Sequence, residues 1–147
     1  MKKKQNRNIF LDANVICDLL LHRGYHAMNT ENIFDYVQKC SVIPYICSYT
    51  FAIGYHQMRS DKNFSRQYAL KTIEDLFSKV KCIPVDSSII QQAMNSGFDD
   101  FEDAIQYCCA LKIPKCEVII TRDTKDFALS IIHVATPRIF LRSHLTK

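Results

Sequence analysis

Apolar residues follow two rhythms along this chain. Short unbroken runs have the length of buried strands: Ile9 to Leu11, "SVIPYICS", "KCIPVD" and "EVIITRD". Between them, apolar positions recur every three or four residues, the spacing of helices with one inward face. After Asn14, Val15, Ile16, Leu19 and Leu20 fall on such a face. Asn29 or Thr30 is placed to cap a second helix through about Lys39, with Ile33, Phe34 and Val37 inward. Thr50 to Met58 reads as a third helix. Ser65 caps a long fourth one whose stripe is Ala69, Ile73, Leu76, Phe77 and Val80. Ser87 or Ser88 then opens a helix with Ile89, Ile90, Ala93 and Met94 inward, closed at Gly97. A helix from Phe101 to Leu111 follows, with Phe101, Ala104, Ile105, Cys108 and Leu111 as its apolar stripe. The segment "IHVATPRIFLR" supplies a last short strand and helical turn.

Strands alternating with helices predict a parallel sheet covered on both faces. The 147 residues suffice for one domain with a real core, here residues 1–147, and no linker or repeat divides them. Lys2, Lys3, Lys4 and Arg7 form a basic start that reads as a flexible tail over residues 1–7. No apolar segment of export length follows it, so the expectation is a cytoplasmic protein with no membrane span. The seven cysteines lie in apolar contexts and fit reduced, buried thiols. A net charge of +4 is mild, yet its sign attracts a phosphate-rich partner.

Chemistry in such sheets gathers at the carboxyl ends of the strands. The first run ends at Asp12, and "EVIITRD" ends at Thr121 and Asp123. The stretch "SGFDDFEDAIQYCCAL" places Asp99, Asp100, Glu102 and Asp103 at the start of its helix, with Asp99, Asp103 and Gln106 on a face away from the apolar stripe. If that helix start meets the same sheet edge, Asp103 joins Asp12 and Asp123. Carboxylates crowded without matching cations repel one another, and protonation or a bound cation relieves the repulsion. Hard oxygen ligands select Mg²⁺ or Mn²⁺, which can activate water and stabilise the leaving oxygen in phosphodiester hydrolysis.

The segments "IFLDANVICDLLLHR", "FEDAIQYCCAL" and "VIITRDTKDF" together resemble the three motifs of the PIN-domain family, whose best-known bacterial members are VapC-like toxin ribonucleases. The resemblance runs from about Asn8 to Leu141. It implies an α/β fold, a three-layer α/β/α sandwich around a mostly parallel sheet of four or five strands. It further implies a metal-dependent endoribonuclease acting on RNA, an antitoxin protein as partner, and a homodimer. Carried over by motif, Asp12, Asp103 and Asp123 match the catalytic, metal-binding acids, with Asp126 at a recurrent position of the third motif. Asn14 and Thr121 match polar neighbours that orient the site. The family usually carries a Glu after the second strand, whereas the interval from Tyr36 to Ser60 contains no Asp or Glu. Asp99, Asp100 or Glu102 then becomes a candidate for the missing metal ligand, and Ser48 or Thr50 for holding a water.

Each of these residues also has a plain structural reading. Asp12 can be an Asx-turn or helix cap, Asp123 can cap a short turn, and the acids before Ala104 can simply complement a helix dipole. Asp18 reads as a solvent-facing charge. Arg23 and Arg122 are candidates for contact with RNA phosphates, and Tyr49 for packing or base stacking. The competing functional reading is a catalytically degenerate PIN domain that binds RNA or protein without cleavage. A receiver-like phosphoryl-transfer protein fits less well, because "LDANV" offers one early Asp only.

Overall fold

The computed structural model describes residues 7–145, so the basic tail expected over residues 1–7 lies outside it except for Arg7. Arg7 is no tail residue: it opens the first strand, and its guanidinium pairs with Glu117 at 2.8 Å. The elements in order are β1 (Arg7–Leu11), α1 (Ala13–Leu20), α2 (Gly24–Cys40), β2 (Val42–Cys47), α3 (Tyr49–Ser60), α4 (Arg66–Lys79) and β3 (Lys81–Ile83). After these come α5 (Ser87–Met94), α6 (Phe101–Leu111), β4 (Cys116–Ile120), a 3-10 turn (Thr124–Phe127), β5 (Val134–Ala135) and α7 (Pro137–Leu145).

All five strands are parallel, in the order β3-β2-β1-β4-β5. Alternation along each strand divides the core into two layers. Ile9, Leu11, Ile46, Val118 and Ile120 pack with α1 to α4 and α7, while Phe10, Cys47 and Ile119 pack with α5 and α6. The result is the three-layer α/β/α sandwich expected, with the sheet buried on both faces. Phe10, Phe127, Phe140, Ile16 and Ile33 are fully buried, each worth about 1.5–3 kcal/mol in removal from water.

The chain runs outward from β1 to β2 and β3, then returns to the other side of β1 for β4 and β5. That reversal makes the gap between β1 and β4 the place where loops part and a cleft opens. Leu11 pairs with Ile120, so the residues that follow, Asp12 and Thr121, emerge side by side.

Several element boundaries differ from the pattern-based expectation. Helix α2 begins at Gly24, and Thr30 lies inside it: its hydroxyl donates to the carbonyls of His26 and Val15, docking α2 on α1. Asp86, not Ser87 or Ser88, caps α5, its carboxylate accepting from the Ile89 amide at 2.9 Å. That helix ends at Met94, and Gly97, with φ +78°, shapes the turn beyond it. Ser65 does cap α4, accepting from the Tyr68 amide. Met94, Phe77, Phe101 and Leu111 are exposed although their spacing placed them inward, because the stripes outrun the surface available to cover them. Cys17, Cys47, Cys108 and Cys109 are buried free thiols, as their contexts suggested, while Cys40 is exposed. Among the described residues no helix is long and apolar enough to cross a membrane.

Candidate active site

Asp12 is the best-determined acid of the cleft. It immediately follows β1 and occupies the position before α1, yet its side chain makes no capping bond there. The carboxylate instead accepts a 2.6 Å hydrogen bond from the Thr121 hydroxyl while its own amide donates to the Ile120 carbonyl. At 3 % exposure, burial pushes its pKa up to about 6, against the opposing pull of the Thr121 hydrogen bond and the Ala13 amide; Glu102 and Asp123 raise it further. A helix-cap role therefore does not account for Asp12.

Asn14 and Thr121 tie the two loops together. The Asn14 amide donates to Thr121 Oγ1 at 3.3 Å and to Asp123 Oδ2 at 3.2 Å, and its Oδ1 accepts from the Arg122 amide. Thr121 Oγ1 also accepts from the Asp123 amide. One small network thus orients carboxylates from both strand ends. Asp123 precedes the 3-10 turn without capping it through its side chain, so that alternative fails as well.

The start of α6 closes the third side. A cleft of about 240 Å³ is lined by Asp12, Asn14, Asp100, Glu102, Asp103, Asp123 and Asp126. Among the described residues no Lys or Arg side chain lines it. Asp103 is pushed up to about 7 by burial first, then by the charges of Asp12, Asp100, Asp126 and Glu102; Glu102 is raised as well, by burial and then by Asp100. Asp100 retains its ordinary structural role, one oxygen accepting from the Asp103 amide at 2.9 Å as the cap of α6. Asp99 is not part of the cleft wall: it borders an adjoining depression with Lys125 and Leu129.

Two predicted helpers are engaged elsewhere. Ser48 Oγ accepts from the Val85 amide at 2.9 Å, and the fully buried Thr50 lies 3.2 Å from the Cys47 sulfur. Neither lines the cleft: Ser48 is turned to the segment after β3, and Thr50 is held against the end of β2. Between them, Tyr49 does not line the cleft either but braces its wall from behind: its hydroxyl donates to the Glu102 backbone carbonyl at 3.3 Å, and its pKa is raised by burial, then by Cys47, Glu102 and Asp12.

Three residues of this region escaped the pattern. Gln106, expected on the face of α6 that carries Asp103 and given no role there, is 1 % exposed; its Oε1 accepts from the Ala13 amide, joining α6 to the first turn of α1, while its Nε2 makes no hydrogen bond. Tyr49, expected to pack or to stack on bases, instead hydrogen-bonds the start of α6 through the Glu102 carbonyl. Asp18, expected in solvent, is 1 % exposed, with Arg23 Nη1 at 3.3 Å from one oxygen and Arg122 Nε at 2.8 Å from the other. A buried carboxylate requires such partners, and the two arginines singled out for RNA are those partners.

The donor chemistry of the cleft suits a hard divalent cation: every charged group on its wall is a carboxylate, and burial with mutual repulsion raises Asp12, Asp103 and Glu102. Among the described residues no three acidic, His or Cys side chains converge as a tight metal cage. An ion that retains several of its waters, as Mg²⁺ does, fits that spacing better than one held wholly by protein.

Comparison with known proteins adds the decisive observation. The PIN domain family model matches residues 8–125, which include β1 through β4 and every residue of the cleft except Asp126. The chain belongs to the PIN domain family. Solved structures share the PIN fold at low sequence identity. A toxin–antitoxin complex from Klebsiella pneumoniae is 21% identical, with a TM-score of 0.62 over 88% of this chain and 97% of that one. VapBC2 from Rickettsia felis, bound to a DNA fragment from its promoter, is 11% identical with a TM-score of 0.63 over 87% and 98%. The sarcin–ricin loop cleaving toxin VapC20 of Mycobacterium tuberculosis is 13% identical with a TM-score of 0.58 over 76% and 86%. A search of curated proteins finds no match. PIN membership accounts for the convergence of three distant motifs on one sheet edge.

Proposed function

We propose that this PIN domain is a divalent-metal-dependent endoribonuclease that hydrolyses RNA phosphodiesters and acts as the toxin of a toxin–antitoxin pair. The observation that carries the reading is the cleft whose wall, among the described residues, holds six carboxylates and no cationic side chain. Membership of a family of nucleases supports it, as do neighbours whose structures are toxin–antitoxin complexes.

Asp12, Asp103 and Asp123 would hold Mg²⁺ or Mn²⁺, with Asp100, Glu102 and Asp126 shaping the field around them. A bound divalent ion supplies electrophilic stabilisation of the charge that builds on the phosphoryl oxygens. Thr121 fixes the carboxylate plane of Asp12, and Asn14 fixes Asp123, so both acids stand ready without reorganisation. Without an ion, a polyanionic strand and this cleft repel each other, so metal and RNA are expected to bind together. An antitoxin partner and a homodimer belong to the same proposal. Exposed Phe77 and Leu70 on α4 and Met28 and Tyr25 on α2 are apolar surface available for such contacts.

The test is cleavage of RNA with Mn²⁺ by wild type, Asp12→Asn and Asp103→Asn. Loss of cleavage in both variants is expected, and equal background in all three would replace the enzyme reading with a binding-only PIN domain. That second reading draws on one observation: the segment after β2, where the family usually has a carboxylate, contributes no side chain to the cleft wall, its Tyr49 touching only the Glu102 backbone carbonyl.

A further inference from the structure

Asp18 lies one helical turn beyond Asn14 on α1, beneath the loop that carries Arg122 between Thr121 and Asp123. We propose that Asp18 organises Arg23 and Arg122 into a seat for the RNA backbone, holding a phosphodiester next to the one at the carboxylate cleft. This deepens the ribonuclease reading and rests on it.

The charges favour an anion. Two guanidinium groups face one carboxylate, which leaves a net positive pair beside a cleft that is otherwise acidic. Asp18 is almost wholly enclosed, its side chain 2 % exposed, while the side chains of Arg23 and Arg122 remain 35 % and 33 % exposed. The carboxylate is thus covered by the arginines, and the arginines keep an open face. Each contacts Asp18 through one nitrogen, Arg23 through Nη1 and Arg122 through Nε. The Arg122 contact is an ion pair, its buried Nε–H making no aligned hydrogen bond. Most N–H donors of both groups are left for phosphate oxygens, which guanidinium planes match in a bidentate way. Anchoring on a buried carboxylate removes part of the rotamer freedom that a free arginine loses on binding.

Position makes the seat relevant to the strand. The Arg122 amide donates to Asn14 Oδ1, and Asn14 in turn holds Asp123. The distance along α1 from Asn14 to Asp18 is about one helical pitch, roughly 5–6 Å. A strand lying with one phosphodiester at the acids reaches the arginines with a neighbouring one. Contacts of this kind position RNA without reading its sequence.

The experiment measures binding of a fluorescein-labelled single-stranded RNA oligonucleotide by anisotropy, in fixed Mg²⁺ and increasing NaCl. The protein carries Asp103→Asn so that the probe stays whole, and thermal melts confirm folding. Arg23→Gln and Arg122→Gln are each expected to weaken binding about fivefold, equally for two unrelated sequences. Each should also lower the salt slope by about 0.7. Asp18→Asn separates positioning from simple charge. It adds one positive charge, so bulk electrostatics predicts tighter binding, whereas loss of the anchor predicts weaker binding. Tighter binding by Asp18→Asn, or unchanged affinity and slope in both arginine variants, overturns the seat. Should Asp18→Asn not fold, the arginine variants decide alone. Cleavage by the protein with Asp103 restored keeps the two readings apart. Metal-dependent cleavage with unaffected arginine variants refutes the seat and leaves the nuclease standing. Binding that depends on the arginines without any cleavage keeps the seat and refutes the nuclease. A protein that neither binds nor cuts RNA refutes both.

Discussion

The Thr121 hydroxyl donates to Asp12 Oδ2 at 2.6 Å across 109 residues of chain, and both groups are buried. This bond joins the ends of β1 and β4 and is the one side-chain hydrogen bond that stabilises the charged form of Asp12 against burial. Its removal has a defined consequence.

Thr121→Val keeps the shape and deletes the donor. Loss of a bond to a buried charged acceptor costs about 1–3 kcal/mol, and the cost should be larger at pH 8 than at pH 5, where Asp12 is largely protonated. Urea unfolding at the two pH values reads this directly. A cost of the same size at both would mean that the hydroxyl matters only as the acceptor for Asn14 and the Asp123 amide.

Stability without added divalent ion should fall as pH rises. Asp12 has a folded pKa of about 6 against an ordinary 3.8, so between these values the folded protein binds more protons than the unfolded one. Stability from this group is therefore greatest below the unfolded pKa and is lost as pH rises to about 6, a change of about 2–3 kcal/mol for a fully buried carboxylate. Asp103, raised to about 7, acts in the same direction up to neutral pH, weakened by its partial exposure. Asp12→Asn should flatten the profile, and Mn²⁺ should stabilise the wild type most above pH 7. A wild-type stability that climbs from pH 5 to pH 7 would contradict the assignment.

Gln106 and Tyr49 hold α6 against α1 and α3. Gln106→Leu strands the Ala13 amide and is expected to cost about 1–2 kcal/mol. Tyr49→Phe, which loses only the 3.3 Å bond to the Glu102 carbonyl, should cost under about 1 kcal/mol. On the proposed function, both lower kcat of RNA cleavage more than they raise KM, since they displace Glu102 and Asp103 without touching the strand. A pure KM effect would argue for direct contact with RNA.

Helix α3 crosses α1 at Gly54, where an added Cβ would overlap the Leu20 side chain. Gly54→Ala improves helix propensity by about 1 kcal/mol, yet it should destabilise the protein by about 1–3 kcal/mol through that overlap. Leu20→Ala in the same chain should relieve the overlap, so the double variant is more stable than the two single costs added together. Strict additivity in chemical denaturation would show that the two sites do not touch.

The strand positions, the existence of α1, α4 and α6, and the parallel sheet were legible because each rests on short-range periodicity or a single cap such as Ser65. The same rules placed Asp12, Thr121 and Asp123 at one sheet edge, since in a parallel sheet every residue after a strand points to one end; Asp103 joined them only if the start of its helix met that edge, and Asn14 entered by family resemblance. These rules misassigned Asp18, a charge expected in solvent, and left Gln106 without a role although it sits on the face of Asp103. A helix stripe states which residues avoid water on average; it cannot state that a distant Arg122 or Ala13 amide supplies a partner.

Asp99, Ser48 and Thr50 make the same point from the other direction. Their chemistry suited the site, and local turns carried them away from it. By itself, the amino-acid sequence determined the element order, the fold class and the motifs of a PIN domain, because these depend on hydrophobic period and on spacing along the chain. Only the tertiary structure decided which carboxylates share a cleft, that Tyr49 and not Ser48 or Thr50 bonds to a residue of its wall, and that Asp18 lies buried between two arginines. Those outcomes depend on contacts between segments far apart in the chain, and burial gives such contacts their energy.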